Sequence, residues 1–364
     1  MSEVDELRMA VREFLTVTSP ADRVRELMDT RDGRDQAAWH QMAAELGLHG
    51  IAIPEEYGGA GAGISELAVV FEEMGAALLC APFFATVALA ANALLHSADT
   101  AAMDDYLPGI VDGSTTATVI FNGSLDAWDR NGVTLSAHEA GTDFRLDGVA
   151  EMVIDGHTAD VVLAVANTDA GPSLFAVNGD ADGLAREPLA TLDRTRKVGR
   201  LDFDNVAARL IGTPGDAAAG LAKTHEVALV ALASEQVGAA QRCLDMAVGY
   251  AKERIQFGRA IGSFQAVKHR CADMLVLVEG ARSAAVHAAA VVGTDEAPIA
   301  ASVAKMASSE AFLHVALDNM RIHGGIGFTW EHDAHLYVRR AKATELMFGD
   351  PDYHAERLAT LVSS

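Results

Sequence analysis

Two short segments carry side chains suited to holding a phosphate. The first is RIQFG, residues 254–258. Arg254 has a planar fork of N–H donors that matches a pyrophosphate edge. Gln256 offers both a donor and an acceptor. Phe257 supplies an apolar wall, and Gly258 lets the backbone turn. The second segment is HGGIGF, residues 323–328. Gly324 and Gly325 have no Cβ, so their backbone N–H groups can come close to a phosphate. Taken alone, motifs this short more often mark a solvated arginine at a helix end and two turn glycines. His332, Asp333 and His335 raise the question of a metal site. One helical turn does not bring all three to one face and the rest of a ligand set is missing, so no metal is expected.

The elements that must position these residues fall into three zones. Residues 1–113 read as a helical N-terminal domain: Val4, Leu7, Val11 and Phe14 recur at helical spacing. A second helix carries Trp39, Met42 and Leu46 and stops at Gly47. The loop IAIPEEYGGAGAG follows, and Ile64, Leu67, Ala68, Phe71 and Met74 resume the stripe. Residues 114–213 change texture. The runs TATVIF, DFRLDG, ADVVLAVA, SLFAV and GRLDFDNV, separated by Asn, Asp and Gly, predict a small antiparallel β-domain, a barrel or sandwich. Residues 214–364 return to the helical period. One long stripe runs from Val227 to Leu244, and further helices are predicted over about 263–292, 297–321 and 333–347. Small residues dominate their faces, as in a close-packed bundle.

Composition narrows the partners. The 364 residues carry 28 basic and 51 acidic side chains, a net charge of −23, so neither nucleic acid nor an anionic membrane is an expected partner. Half the residues are apolar, which excludes disorder and a small disulfide scaffold. Cys80, Cys243 and Cys271 are widely spaced, which suits a reducing cytoplasm and argues against a zinc or redox site. The acidic N-terminus lacks the pattern of a signal peptide. The longest apolar runs, around 85–95 and 227–233, are too short to span a bilayer.

Three segments in this order resemble the acyl-CoA dehydrogenase family. They are WHQMAAELGLHGIAIPEEYGGAG, RIQFGRAIGSFQAVKHRCADM and RIHGGIGFTWEHDAHLYVRRAK. The resemblance covers essentially the whole chain. It implies a mainly helical fold: a helical N-domain, a central β-domain and a C-terminal four-helix bundle. It further implies an FAD cofactor, an acyl-CoA thioester substrate, a dimer or dimer of dimers, and an electron-transfer flavoprotein as electron acceptor. Carried over residue by residue, it places Arg254, Gln256, Phe257, Gln265, Arg321, His323, Gly324 and Gly325 at the FAD site. Arg321 stands where the family has Gln.

The departures are as informative as the matches. The family places its catalytic Glu just before a glycine after the RRAK-like helix, or early in the first long C-terminal helix. Here Phe348 occupies the first position, and Ala228 and Leu229 the second. Phenylalanine cannot accept a proton, so no catalytic residue is assigned. Asp350, Glu345 and Glu235 are the substitutes to weigh. Glu235 lies two turns beyond Ala228, about 10 Å along the helix axis, too far to inherit the role. The flavin-cradling loop of the family has no counterpart in VIFNGSLDAWDRNG, and Met152 and Ile154 replace its Trp and Thr on a later strand. The retained residues are those that reach a neighbour's FAD across the family's dimer. The lost ones serve the chain's own flavin ring. The resemblance is therefore to the base-lacking partner of a heteromeric α2β2 enzyme, as found among actinobacterial dehydrogenases of steroid side-chain thioesters. A self-sufficient homo-oligomer with a displaced base, a flavin monooxygenase-like protein and a structural protein of the same fold stay open.

Overall fold

The computed structural model describes residues 2–120, 133–141 and 143–363. Helices α1 (Glu3–Thr18), α2 (Ala21–Leu27), α3 (Gln36–Ala44), α4 (Ile64–Ala76), α5 (Asn92–Leu95) and α6 (Thr100–Val111) come first. Seven strands follow: β1 (Ala117–Ile120), β2 (Leu135–Ala140), β3 (Asp143–Ile154), β4 (Val161–Thr168), β5 (Gly171–Asn178), β6 (Leu184–Pro188) and β7 (Val198–Ile211). Helix α7 (Ala217–Glu253) leads to the short strands β8 (Ile255–Gln256) and β9 (Arg259–Ala260). Helices α8 (Gln265–Val291), α9 (Ala297–His323), α10 (Ala334–Leu346) and α11 (Pro351–Ser363) complete the chain. By contacts the chain forms two compact units. One comprises Met1–Arg25, Ile64–Leu79 and Leu229–Ser364; the other comprises Glu26–Gly63 and Cys80–Ala228.

The first unit is helical. α1 opens with a capping box, Ser2 Oγ accepting from Asp5 N–H and Asp5 Oδ2 accepting from Ser2 N–H. Its stripe buries Val11 and Leu15, while Val4 at the first turn faces outward. Ion pairs hold it to α4: Arg8 to Glu72 at 2.8 Å and to Glu73 at 2.9 Å, and Arg12 to Glu73 at 2.8 Å. α4 in turn meets α7 backbone to backbone. A Cβ on Gly75 would run into the Glu235 carbonyl, and one on Gly238 into the Glu72 carbonyl. α9 packs against α8, α10 and α11. α8 is long and apolar enough, by length and composition, to cross a membrane, although the uninterrupted apolar runs of the sequence are shorter. Its buried residues Met274, Val278, Ala281, Ala285 and Ala288 follow one helical face, against the bundle.

The second unit holds the strands. β4, β2, β3, β7 and β5 pair in that order and β5 returns to β4, closing a barrel; β1 adds to β4 and β6 to β7. Leu146, Ala150, Val162, Ala164, Phe175, Leu201, Phe203 and Val206 fill it. The barrel is not wholly antiparallel as the sequence pattern suggested. β1 and β2 both run parallel to β4, along successive stretches of it. Alternating side chains reveal a strand but not the direction of its neighbour. β2 and β6 escape the sequence pattern because they are largely exposed and polar. Most of the VIFNGSLDAWDRNG stretch lies outside the described residues. The apolar run 85–95 is a buried π-wound turn, Phe84–Ala91, running into α5.

The α4–α7 contact yields a paired prediction. Gly238→Ala forces a methyl into the Glu72 backbone and lowers the unfolding free energy by about 1–3 kcal/mol. Gly249→Ala on the same helix meets nothing within 4 Å and leaves stability equal or higher, since alanine favours helix. Urea denaturation of the two variants checks both signs.

Candidate functional site

α7 ends at Glu253, and Arg254 continues it by one hydrogen bond, its N–H donating to the Tyr250 carbonyl at 2.8 Å. The chain then reverses in a hairpin that pairs Ile255 with Ala260 and Gln256 with Arg259. Phe257 and Gly258 form its turn, with φ of +53° and +77°. Two positive φ values in a two-residue hairpin loop suit Asn-Gly, not phenylalanine. The Phe257 backbone is therefore strained by about 1–2 kcal/mol, yet its ring is 90% exposed. Arg254 and Gln256 are also exposed, and among the described residues Arg254 has no ion-pair partner. Arg259 is engaged differently, its guanidinium 4.0 Å above the Phe264 ring. Gln265, exposed, is the first residue of α8.

Aromatic stacking brings the second segment to the first. Tyr250, four residues before Arg254, stacks on His323 with ring centroids 4.4 Å apart, and His323 lies 4.2 Å from His332. His323 is buried, its Nδ1 donating to the Asn319 carbonyl at 2.9 Å, and burial lowers its pKa. Its ring joins the ends of α7 and α9 instead of facing solvent. α9 stops at Gly324, whose φ of +63° a side chain would resist. No atom lies within 4 Å of a Cβ placed on Gly258, Gly324 or Gly325. Positive φ accounts for the first two glycines. Among the described residues nothing requires Gly325, and the space beside it is open. Arg321 donates to Asp318 at 2.8 Å.

The histidine group does not gather as a ligand set. Asp333 accepts two bonds from Arg25, His332 Nδ1 accepts from Ala334 N–H, and His335 packs edge-on against Trp330. Among the described residues no cluster of three or more His, Cys, Asp or Glu is placed to hold a metal. Cys80, Cys243 and Cys271 form no disulfide among the described residues.

Phe348 sits in a turn between α10 and α11. Its φ is +56°, its side chain is buried, and Gly349 follows with φ +96°. The turn is clamped from two helices. Lys305 of α9, fully buried, donates to the carbonyls of Glu345 and Gly349 at 3.0 Å and to Ser309 Oγ at 2.7 Å. His354 Nε2 of α11 donates to the Phe348 carbonyl at 2.9 Å. Gln236 extends the network to Ser309 and Thr344. The three substitute carboxylates are each engaged. Glu235 is locked to Arg340 at 2.6 Å with both side chains buried, Glu345 pairs with Lys342, and Asp350 caps α11 by accepting from Tyr353 N–H. Leu229 lies in the same unit, buried in α7. Ala228, in the other unit, is buried as well. There too, Met152 occupies a β-bulge with φ +57° and is 62% exposed, while Ile154 offers only its carbonyl, which accepts from Thr118 Oγ1 at 2.6 Å.

Sequence reasoning did not single out Tyr250, Asp318 or Lys305. Lys305 leaves a trace, a lone cation among the small residues of AASVAKMASS. Tyr250 gains its stacking partner only when helices meet, and Asp318 gains Arg270 only then, beside the helical neighbours His314 and Arg321 that it already has.

Two profiles of one family match the chain. Residues 1–114 match the acyl-CoA dehydrogenase N-terminal domain and residues 223–362 the C-terminal domain. The acyl-CoA dehydrogenase IpdE2 of Mycolicibacterium smegmatis is 36% identical over 359 residues, 98% of each chain. The chain belongs to the acyl-CoA dehydrogenase family. The Mycobacterium tuberculosis IpdE2 is 33% identical, covering 98% of this chain and 96% of that one. A solved Tcur3481–Tcur3483 steroid acyl-CoA dehydrogenase variant superposes with a TM-score of 0.88 at 34% identity, covering 99% of this chain and 98% of that one. The ChsE4–ChsE5 complex from M. tuberculosis gives 0.91 at 29% identity, covering 100% and 98%. Members of the family are flavoproteins and oxidoreductases acting on CH–CH bonds, and the chain has their order of helical, β and helical regions.

Burial pushes the Lys305 ammonium down to about 7, against the pull of Glu345 and Asp350. In the unfolded chain the amine titrates near 10.5. Between those values the unfolded state binds more protons, so this group makes the folded state more stable as pH rises. Wild type should gain on Lys305→Met by up to about 1.4 kcal/mol per pH unit above neutrality. Parallel urea titrations at pH 7 and pH 9 measure the difference; an equal gap at both places the amine's titration elsewhere.

Proposed function

We propose that this chain is the base-lacking partner subunit of a heteromeric, FAD-dependent acyl-CoA dehydrogenase, which desaturates an acyl-CoA thioester between its α and β carbons. It completes the FAD site of a second, catalytic acyl-CoA dehydrogenase-like chain. The observation that carries this reading is the engagement of Glu235, Glu345 and Asp350 around a buried Phe348. A base must reach hydrogen-bonding distance of the proton it removes. A carboxylate locked to a buried arginine, a neighbouring lysine or a helix N-terminus is not free to do so.

The residues present fit one end of the dinucleotide and not the other. Exposed Arg254, Gln256 and Gln265, and the open space at Gly325, suit an anionic group arriving from outside the chain. Arg254 would hold pyrophosphate, with Phe257 as an apolar wall. Met152 and Ile154 offer a flavin ring no side-chain hydrogen bond. Bound FAD would accept the substrate's β-hydrogen as hydride; this chain's part is to grip the cofactor's phosphate end across the interface and keep water from it.

A second chain is favoured by the outer face of α8. Leu275 and Val276 are exposed there, and Gly280, one turn beyond Val276, has nothing within 4 Å of a Cβ. Glycine inside a helix costs about 0.5–1 kcal/mol against alanine. An approaching helix would give that glycine a purpose. Similarity to chains solved as the ChsE4–ChsE5 complex and to a steroid acyl-CoA dehydrogenase supports a paired assembly and a steroid side-chain thioester. Electrons would leave to an electron-transfer flavoprotein. Three cysteines outside any disulfide suit the cytoplasm.

The test is co-expression with an acyl-CoA dehydrogenase-like chain, followed by mass and flavin absorbance. The isolated chain should hold little FAD and oxidise no acyl-CoA with an artificial acceptor; turnover by a homo-oligomer would sink the reading. In the assembly, Arg254→Ala should weaken FAD ten- to a hundredfold, as losing a charge-assisted pair of about 1.5–3 kcal/mol requires. Arg254→Lys should recover part, since an ammonium cannot form the planar fork. Unchanged flavin content in the alanine variant removes Arg254 from the site.

Phe348→Glu tests the missing base directly. The substitution should yield no dehydrogenation and should lower the melting temperature, because a buried unpaired carboxylate is costly. Acyl-CoA oxidation with bound FAD in this single variant would mean that the chain's own flavin pocket is complete.

A further inference from the structure

Asp318 lies on α9, one turn before Arg321, and is buried. Three cationic or ionisable side chains converge on it. Arg321 Nη1 and Arg270 Nη1 both approach Oδ1, at 2.8 Å and 3.4 Å, and His314 Nε2 lies 3.4 Å from Oδ2. Arg270 comes from α8, five residues after Gln265; Arg321 precedes Gly324 by three. Asp318 thus ties together the two helices that carry the candidate cofactor residues.

A plain staple between α8 and α9 would need one arginine. Here two guanidiniums share one carboxylate oxygen, and both are about half exposed, at 43% and 55%. Each has five N–H donors in a fixed fork. Asp318 engages one nitrogen of each and offsets one of the two charges. An excess positive charge and several donors are left at the surface of a chain whose net charge is −23. Arginine pairs held at fixed spacing bind phosphate through several bonds at once.

We infer that Asp318 is a positioning residue for the cofactor's phosphate end, fixing Arg321 and Arg270 as one grip, with Arg270 a further contact to the phosphate. This inference rests on the cross-subunit FAD reading above. It assigns Arg321 a specific use. A neutral glutamine at that position could donate to Asp318 but would bring no charge, whereas an arginine needs a carboxylate beneath it to sit beside Arg270 without repulsion.

Asp318→Asn separates positioning from charge. The variant makes the local charge more positive by one, so bulk electrostatics predicts tighter binding of an anion. Positioning predicts the opposite. The experiment strips flavin from the assembly and measures FAD affinity by quenching of flavin fluorescence, with ADP as competitor. Asp318→Asn and Arg270→Ala should each weaken FAD and ADP about tenfold, as a lost charge-assisted bond does. The double variant should lose less than the product of the two, since both act through one grip. Tighter or unchanged binding in Asp318→Asn, or unchanged binding in Arg270→Ala, overturns the inference. Because Arg270 is exposed, its variant stays informative if Asp318→Asn fails to fold. Dissociation of the assembly on sizing, with FAD affinity unchanged in what remains assembled, would also overturn it, by assigning the grip to a partner's acidic surface. Arg254→Ala serves as the control. If it loses FAD while these variants keep it, only this inference fails; if it too keeps FAD, the underlying site is wrong.

Discussion

Two glycines set the geometry on which the helical unit depends. Gly75 of α4 and Gly238 of α7 let the helices touch at the backbone, each lying where a side chain would strike the other's carbonyl. The residues beside that contact then have fixed directions. Glu72 and Glu73 turn outward to Arg8 and Arg12 of α1, and Glu72 also meets Arg282 of α8. Glu235 and Gln236 turn inward, to Arg340 of α10 and to Ser309 of α9. A wider α4–α7 spacing would leave buried carboxylates without their arginines, a loss larger than that of most apolar contacts.

The same network fixes the turn that carries Phe348. Lys305 and His354 donate to the carbonyls of residues 345, 348 and 349, and so hold the backbone of the turn, including its left-handed φ at Phe348. Each neighbouring carboxylate neutralises or caps something the bundle needs: Glu235 meets Arg340, Glu345 meets Lys342, and Asp350 caps α11.

Much of this was legible in the sequence, and the limits have physical causes. Helical spacing and small residues marked α4, α7, α8 and α9. Apolar β-rich patterning marked β1, β3, β4, β5 and β7, but not β2 or β6, whose side chains are mostly exposed. It could not tell that β1 and β2 run parallel to β4, since direction is a property of the pair. At the candidate site, RIQFG and HGGIGF were visible as segments. Their meeting through Tyr250 and His323 was not, for no local pattern encodes a stack between residues 73 positions apart. At Asp318 the local spacing to His314 and Arg321 was present in the sequence, but the convergence of Arg270 from α8 was not, since α8 approaches it only in the fold.

The features that the chain alone does not account for lie together on the helical unit. Phe257 holds a left-handed backbone to present an exposed ring. Gly325 leaves open space at a position where the backbone asks for no glycine, and Gly280 weakens a helix whose own packing makes no use of the gap. Among the described residues Arg254 has no ion-pair partner, and Arg270 and Arg321 share one carboxylate. Each feature is a small stability cost, about 1 kcal/mol for the glycine and the strained turn. Folding alone tends to relieve such costs, whereas a binding surface retains them. The barrel unit has its own left-handed residues, Ala98, Met152, Asp155 and Asn205. Under the partner-subunit proposal, the exposed ring, the open glycines and the arginines of the helical unit find their use in an assembly with a second chain.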